Sequence, residues 1–404
     1  MNLGEKCESY LLELASITER REGLTRLYLT KEHKRALKTI QGWMEEVGLK
    51  TIVDDAGNLI GSHFCKDKNQ PTLIMGSHQD SVINGGIYDG MLGVVAPIIA
   101  LHEIDLNSLS YNLKIVAFGD EEGVRFKTTY LGSKALTGNF SDELLNIKDE
   151  NDIALKEALK IFGLNPANIS ESKLVEEKLS YVEVHIEQGP VLEKENTSVG
   201  IVKAINAFQR YEITIDGKAG HAGTTPMNMR QDAGVVMAET AVFIKEIAEQ
   251  TDGLVATIGQ ASLKPGAINV IPDQSVFSLD IRAPEEIIID RAIGKIKEKM
   301  KAVSYECGVT YQMKRLARGD ACICNENIIN LIKSSVEENK IKPVYLNSGA
   351  GHDAQEMSNI ANVGMLFVRC KEGISHHPDE YVKITDLESS VNVVQSILKN
   401  YNKG

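Results

Sequence analysis

The sequence predicts an α/β chain interrupted by an α+β insertion, on three observations. Strand and helix patterns alternate from about residue 1 to 207, the grammar changes between 208 and 319, and the alternation returns from 320 to 404. Alternation of this kind arises when an at least partly parallel sheet is covered by helices. A length of 404 residues also calls for two or three units at one per ~100 to 200 residues. We therefore expect one domain built from 1–207 and 320–404, with an inserted domain at 208–319.

The elements follow in order. Thr72-Leu-Ile-Met75 is a short apolar run that reads as a buried strand, the apolar stretch Met91 to Ile104 as a helix, and Tyr111 to Phe118 as the next strand. Within the insertion, Tyr211 to Ile215, Leu254 to Gln260 and Ser275 to Arg282 read as strands, and Asp232 to Glu249 and Glu285 to Glu306 as helices. Lys264-Pro265-Gly266 is a turn signal that makes antiparallel pairing of the middle strands natural. Phe277, Leu279 and Ile281 alternate with Ser278, Asp280 and Arg282, so one face packs on helices and Arg282 lies on the polar face. Ala361 to Arg369 then reads as a strand and Thr385 to Lys399 as a closing helix.

Composition narrows the function. Hydrophobic residues at 43% and charged residues at 25% exclude disorder, and a net charge of −12 argues against nucleic acid, whose recognition leans on clustered Lys and Arg. The polar start, Met1 to Glu8, has no apolar core of a leader, and no run approaches the ~18 apolar residues of a membrane span. A cytoplasmic protein with no membrane partner and a small substrate is expected. Six scattered cysteines are unlike a disulfide framework, and Cys322-Ile-Cys324, with no second Cys pair, is expected to pack rather than bind metal.

The chemistry gathers at strand ends. His78 follows the first strand, Glu121 and Glu122 follow Phe118, His185 sits near the end of Ser180 to Glu187, and His376 follows the strand ending at Arg369. Ligands of open α/β sheets bind outside the carboxyl ends of the strands, so these groups converge on one rim. Asp89 joins them from the start of the helix at Met91. Three imidazoles and two carboxylates hold two divalent ions only if one carboxylate bridges, and the N/O donor mix suits zinc or manganese, with cobalt or nickel also accepted. Glu121 remains over as acid/base beside the ligand Glu122. Singly, each group has a plain alternative: a hydrogen-bonded histidine, an Asp-Gly turn, a solvated Glu pair. His33, His63 and His102 lack such surroundings and are expected to be structural or surface residues.

Seven ordered motifs then carry a resemblance: Gly76-Ser-His-Gln-Asp-Ser-Val82, Tyr88-Asp-Gly90, Glu121-Glu-Gly-Val-Arg-Phe126, His185-Ile-Glu-Gln-Gly-Pro190, His221-Ala-Gly-Thr-Thr-Pro-Met227, Ser348-Gly-Ala-Gly-His-Asp353 and Gly373-Ile-Ser-His376. From about residue 23 to 390 the chain resembles the di-metal amidohydrolases that include allantoate amidohydrolase, N-carbamoyl-L-amino acid hydrolase and β-ureidopropionase. These lie within the aminoacylase and carboxypeptidase-like metallopeptidase group. The resemblance implies a di-zinc exopeptidase-like catalytic domain with an inserted ferredoxin-like lid and dimerisation domain. It implies two divalent ions per subunit, one held by His78 and His185, the other by Glu122 and His376, with Asp89 bridging and Glu121 as general base and acid.

The same resemblance places Gln209, Asn269 and Arg282 on the substrate, with Arg282 clamping its carboxylate by a bidentate fork. It places His221 in the partner subunit's site of a homodimer, polarising the carbonyl under attack. Gln188 is expected to orient the site, and Gly351 to line the substrate pocket with His352 or to serve as a structural turn. His377 stands where the family usually has Ser or Asn, so either imidazole of the pair could face the metal; register favours His376. Gln79 stands where an aliphatic residue is common. The expected reaction is hydrolysis of a ureido C–N bond, with allantoate favoured on Gly23-Leu-Thr-Arg-Leu-Tyr28 and Val82-Ile-Asn-Gly-Gly86. N-carbamoyl-L-amino acids are the alternative, and a dipeptidase or aminoacylase the third reading, which the His185 to Pro190 run opposes.

Overall fold

The computed structural model describes residues 1–20 and 22–402, which divide into two compact units, 1–203 with 324–404, and 204–323. The insertion thus begins at Ala204 rather than 208 and ends at Ile323 rather than 319. Its entry and exit segments pair with each other, Ala204 with Ile323 and Ile205 with Cys322, which carries the boundary outward. Cys322 and Cys324 are both buried there.

The first unit is built on a mixed sheet. Its parallel centre runs Asn112–Phe118, Thr72–His78, Leu179–Ile186, Asn362–Val368. Antiparallel strands flank it, with Leu59–His63 and Lys50–Val53 on one side and Val199–Ile205 on the other. The central strands are buried along nearly their whole length, as expected of strands covered on both faces, which is why they read as continuous apolar runs. Helix Met91–Leu101 has every residue buried, consistent with its lack of a polar stripe. It packs with Leu3–Ala15 and Ile384–Asn400. Among the described residues no helix is long and apolar enough to cross a membrane.

His33 is structural. It is buried, and its Nδ1 accepts the Leu29 N–H at 2.8 Å. Burial, then the charge of Arg26, pushes its pKa down to about 3. The unfolded chain takes up a proton near the ordinary value of about 6.5, whereas the fold refuses it. The stability contributed is therefore complete above pH ~6.5 and is lost, at about 1.4 kcal/mol per pH unit, as pH falls towards the folded value. In denaturant titrations between pH 7.5 and 5, His33→Gln, which keeps an acceptor, is expected to lose less stability than the parent. Equal losses would show that this proton is not linked to folding.

The second unit is a strand–helix–strand–strand–helix–strand module, the ferredoxin-like arrangement. Its antiparallel sheet runs Ala261–Lys264, Gln274–Ala283, Ala207–Asp216, Thr310–Gly319, with Val255–Thr257 also on Gln274–Ala283. Tyr211, Ile213 and Ile215 with Phe277, Leu279 and Ile281 are buried in a common core with residues of helices Ala233–Gln250 and Glu286–Cys307. The strand Thr310–Gly319 had no counterpart in the expected pattern. It is an edge strand, exposed through much of its length and bulged between Arg315 and Ala317, so the burial that writes a strand pattern into a sequence is missing.

Candidate active site

Four strands of the parallel centre deliver their carboxyl ends to one place. His78 closes Thr72–His78, Asp120 to Glu122 follow Asn112–Phe118, His185 is the penultimate residue of Leu179–Ile186, and His376 lies in the loop after Asn362–Val368. Asp89 arrives one residue before Gly90, the cap of helix Met91–Leu101. Gly90 has φ 69°, and a side chain there would collide with the His78 ring. The turn is glycine because backbone and imidazole need the same space.

Asp89 is the centre of the geometry. Its Oδ1 lies 3.4 Å from His78 Nε2 and 3.0 Å from His185 Nε2, while Oδ2 lies 3.2 Å from His376 Nε2. His376 Nε2 is 3.5 Å from Glu122 Oε1. Of the four donor trios among the described residues, two, His78–Asp89–His185 and Asp89–Glu122–His376, share the Asp89 carboxylate. That sharing is what two adjacent cations require, so the residues fit a di-metal centre. His377 is turned outward, its Nδ1 accepting the Asp379 N–H at 3.2 Å.

Supporting contacts aim the donors. His78 Nδ1 faces the Asp80 carbonyl at 3.0 Å and His185 Nδ1 faces the Ile186 carbonyl at 2.9 Å, leaving each Nε2 for the centre. The Asp80 carboxylate accepts the N–H groups of Glu121 at 3.0 Å and Glu122 at 3.2 Å, fixing the Glu pair. Gln188 donates to Asp89 Oδ2 at 3.0 Å and to Ser375 Oγ at 2.9 Å. Gln188 and His376 both hold positive φ, 55° and 57°, a strained setting for side-chain-bearing residues and one found at functional sites.

The electrostatics divide the carboxylates. Burial works against ionising Asp89, yet its hydrogen bonds with His185, His376 and His78 hold it well below the usual range. Glu121 goes the other way. Burial pushes it well above the carboxylate range; the charge of His78 opposes and that of Glu122 adds. Glu122 rises to about 7 through burial and the charge of Asp89. Asp89 is thus held ionised while Glu121 and Glu122 both lean towards their protonated forms.

The chain matches peptidase family M20/M25/M40 over residues 74–400. It belongs to that family. An N-carbamoyl-L-amino-acid amidohydrolase of Pseudomonas sp. (strain NS671) is 38% identical over 98% of this chain and 98% of its own. Allantoate deiminase 2 of Glycine max is 35% identical over 98% of this chain and 89% of its own. Among solved structures, an amidase of the hydantoinase/carbamoylase family from Burkholderia multivorans superposes with a TM-score of 0.91 at 27% identity, covering 98% of this chain and 97% of that one.

In this M20/M25/M40 chain the remaining candidates divide between the units. Gly351 leaves room for the Tyr130 hydroxyl, with which a side chain would collide. His352 is buried edge-on against His185, ring centroids 4.5 Å apart, and its Nε2 meets Ser348 Oγ at 2.8 Å. In the second unit, exposed His221 pairs with Val270 on a two-stranded ribbon that also places Asn269 next to Ala222.

Arg282 is on the polar sheet face. Its Nε and Nη2 donate to Asp280 at 2.7 and 2.9 Å, Arg210 Nε donates to the same carboxylate at 2.9 Å, and both guanidinium groups lie over the Phe208 ring. Gln209 does not share that face. It is buried, with Nε2 on Asp290 Oδ1 at 2.9 Å and its carbonyl on Tyr211 Oη. The alternation of a strand puts Gln209 with Tyr211 and Ile213, on the sheet face opposite Arg282. Sequence reasoning had also passed over Asp80, Ser375 and Glu380; the first lies two residues from His78 and the others beside His376.

Proposed function

We propose that this chain hydrolyses the ureido C–N bond of a small carboxylate substrate, releasing ammonia and carbon dioxide. The observation that carries the reading is the pair of donor trios meeting at Asp89 with Glu121 beside them. His78 and His185 would hold one divalent ion and Glu122 and His376 the other, zinc or manganese first, cobalt or nickel also compatible with the donors. Bound there, such ions supply Lewis acidity to a carbonyl oxygen and make water more acidic.

The chain's own residues do the rest. A water oxygen joins the ureido carbon as the C–N bond breaks, and Glu121 takes the water proton and gives it to the departing nitrogen. The carbamic acid fragment left behind separates into carbon dioxide and an amine or ammonia. Gln188 and Ser375 hold Asp89 in place during these transfers. The inserted unit serves as lid and dimerisation domain, with Gln209, Asn269 and Arg282 on the substrate and His221 reaching the partner's site in a homodimer. Work in the cytoplasm, on a soluble small molecule, completes the reading.

Allantoate is the substrate we name first, on the segments at 23–28 and 82–86. N-carbamoyl-L-amino acids are the second reading, favoured by the 38% identity to an amidohydrolase named for them. Ammonia release by Mn²⁺-reconstituted protein from allantoate, N-carbamoyl-L-methionine and a simple dipeptide, each with and without chelator, tests both. Chelator-sensitive turnover of one ureido substrate is expected. Cleavage of the dipeptide alone would replace the proposal with a peptidase.

A further inference from the structure

Asp89 bridges the two trios only if both of its oxygens are aimed, and none of the trio partners fixes its backbone. Glu380 does. Its Oε1 accepts the N–H groups of Tyr88 at 2.9 Å and Asp89 at 3.1 Å, across sequence separations of 292 and 291 residues. Its Oε2 lies 3.1 Å from Ser375 Oγ, which is also 3.0 Å from Asp89 Oδ2. A hydroxyl has one proton, so Ser375 donates to one carboxylate at a time while accepting from Gln188. Glu380 therefore offers that proton a second acceptor when Asp89 Oδ2 is engaged by a cation. The carboxylate is buried, and a side chain at Gly86 would collide with it, so the 85–90 loop is shaped around this acid. Glu380 also sits on the loop that carries His376, with its N–H on the His377 carbonyl at 3.0 Å.

We infer that Glu380 is a positioning residue that locks the Asp89 loop to the His376 loop, and that the second cation site depends on it although it touches no cation. The inference rests on reading Asp89 and His376 as ligands. Supporting groups of this kind are worth about 10- to 100-fold in metal affinity.

The test is titration of the metal-free protein with Co²⁺, following visible absorption and bound stoichiometry, for the parent, Glu380→Ala, Glu380→Gln, Glu380→Asp and Asp89→Asn. Glu380→Ala is expected to weaken one of two Co²⁺ sites about 10- to 100-fold and shift its absorption band. Glu380→Gln, whose carbonyl can still accept both N–H groups, is expected to restore affinity to within about threefold. Unchanged affinity in Glu380→Ala, or a Gln variant as weak as the Ala variant, overturns the inference. If Glu380→Ala does not fold, Glu380→Asp decides, since its shorter side chain cannot reach the Tyr88 and Asp89 N–H groups and Ser375 Oγ together: a weakened site supports the inference and parental affinity overturns it. A parent that binds two Co²⁺ ions equally well with and without Asp89→Asn would instead sink the ligand reading.

Discussion

Glu121→Gln is expected to bind metal and unfold like the parent while its turnover falls about a thousandfold. The substitution keeps the shape, and the backbone N–H that Glu121 gives to Asp80 is untouched, so the neighbouring Glu122 keeps its place. What is lost is a group able to take and return a proton. Burial, opposed by the charge of His78, holds Glu121 above the carboxylate range, which suits it to hand a proton to a poor leaving nitrogen. Steady-state ammonia release, with metal content and thermal unfolding measured on the same sample, checks this. A variant with full metal content and turnover within about threefold of the parent would remove Glu121 from the mechanism.

His221→Ala is expected to cost about 10²- to 10³-fold in turnover, the scale of one lost oxyanion donor. Its stronger consequence concerns assembly. If His221 acts in the partner's site, a heterodimer of Glu121→Gln and His221→Ala subunits contains one site with both lesions and one with neither. Mixing the two inactive proteins under exchange should then restore about a quarter of parental activity, from one intact site in half of the dimers. If His221 acts within its own subunit, every site carries a lesion. No recovery, with heterodimers confirmed by native mass spectrometry, would end the in-trans reading.

The sheet and its rim were legible because burial leaves a periodic trace. Thr72 to Met75, Tyr111 to Phe118 and Ala361 to Arg369 all mark strands whose apolar side chains are enclosed, and the residues just beyond them stand at the strand ends by geometry. Contacts between distant loops leave no such trace. Glu380 meets Asp89 only once the chain is folded, and in sequence it is one acidic residue after a proline turn. Gln209 is different, since its period-two neighbours Tyr211 and Ile213 already place it with the helix-packed face.

The crossing between the two units is made by paired backbone. Cys324 donates its N–H to the Lys203 carbonyl at 2.9 Å and Ala204 and Ile205 pair with Ile323 and Cys322, so the chain leaves and re-enters the first sheet on two adjacent paired strands. An insertion anchored in this way presents the host sheet with the same short gap whatever its length. Residues 204–323 can therefore be enlarged, trimmed or exchanged while the strands that aim His78, His185 and His376 keep their register.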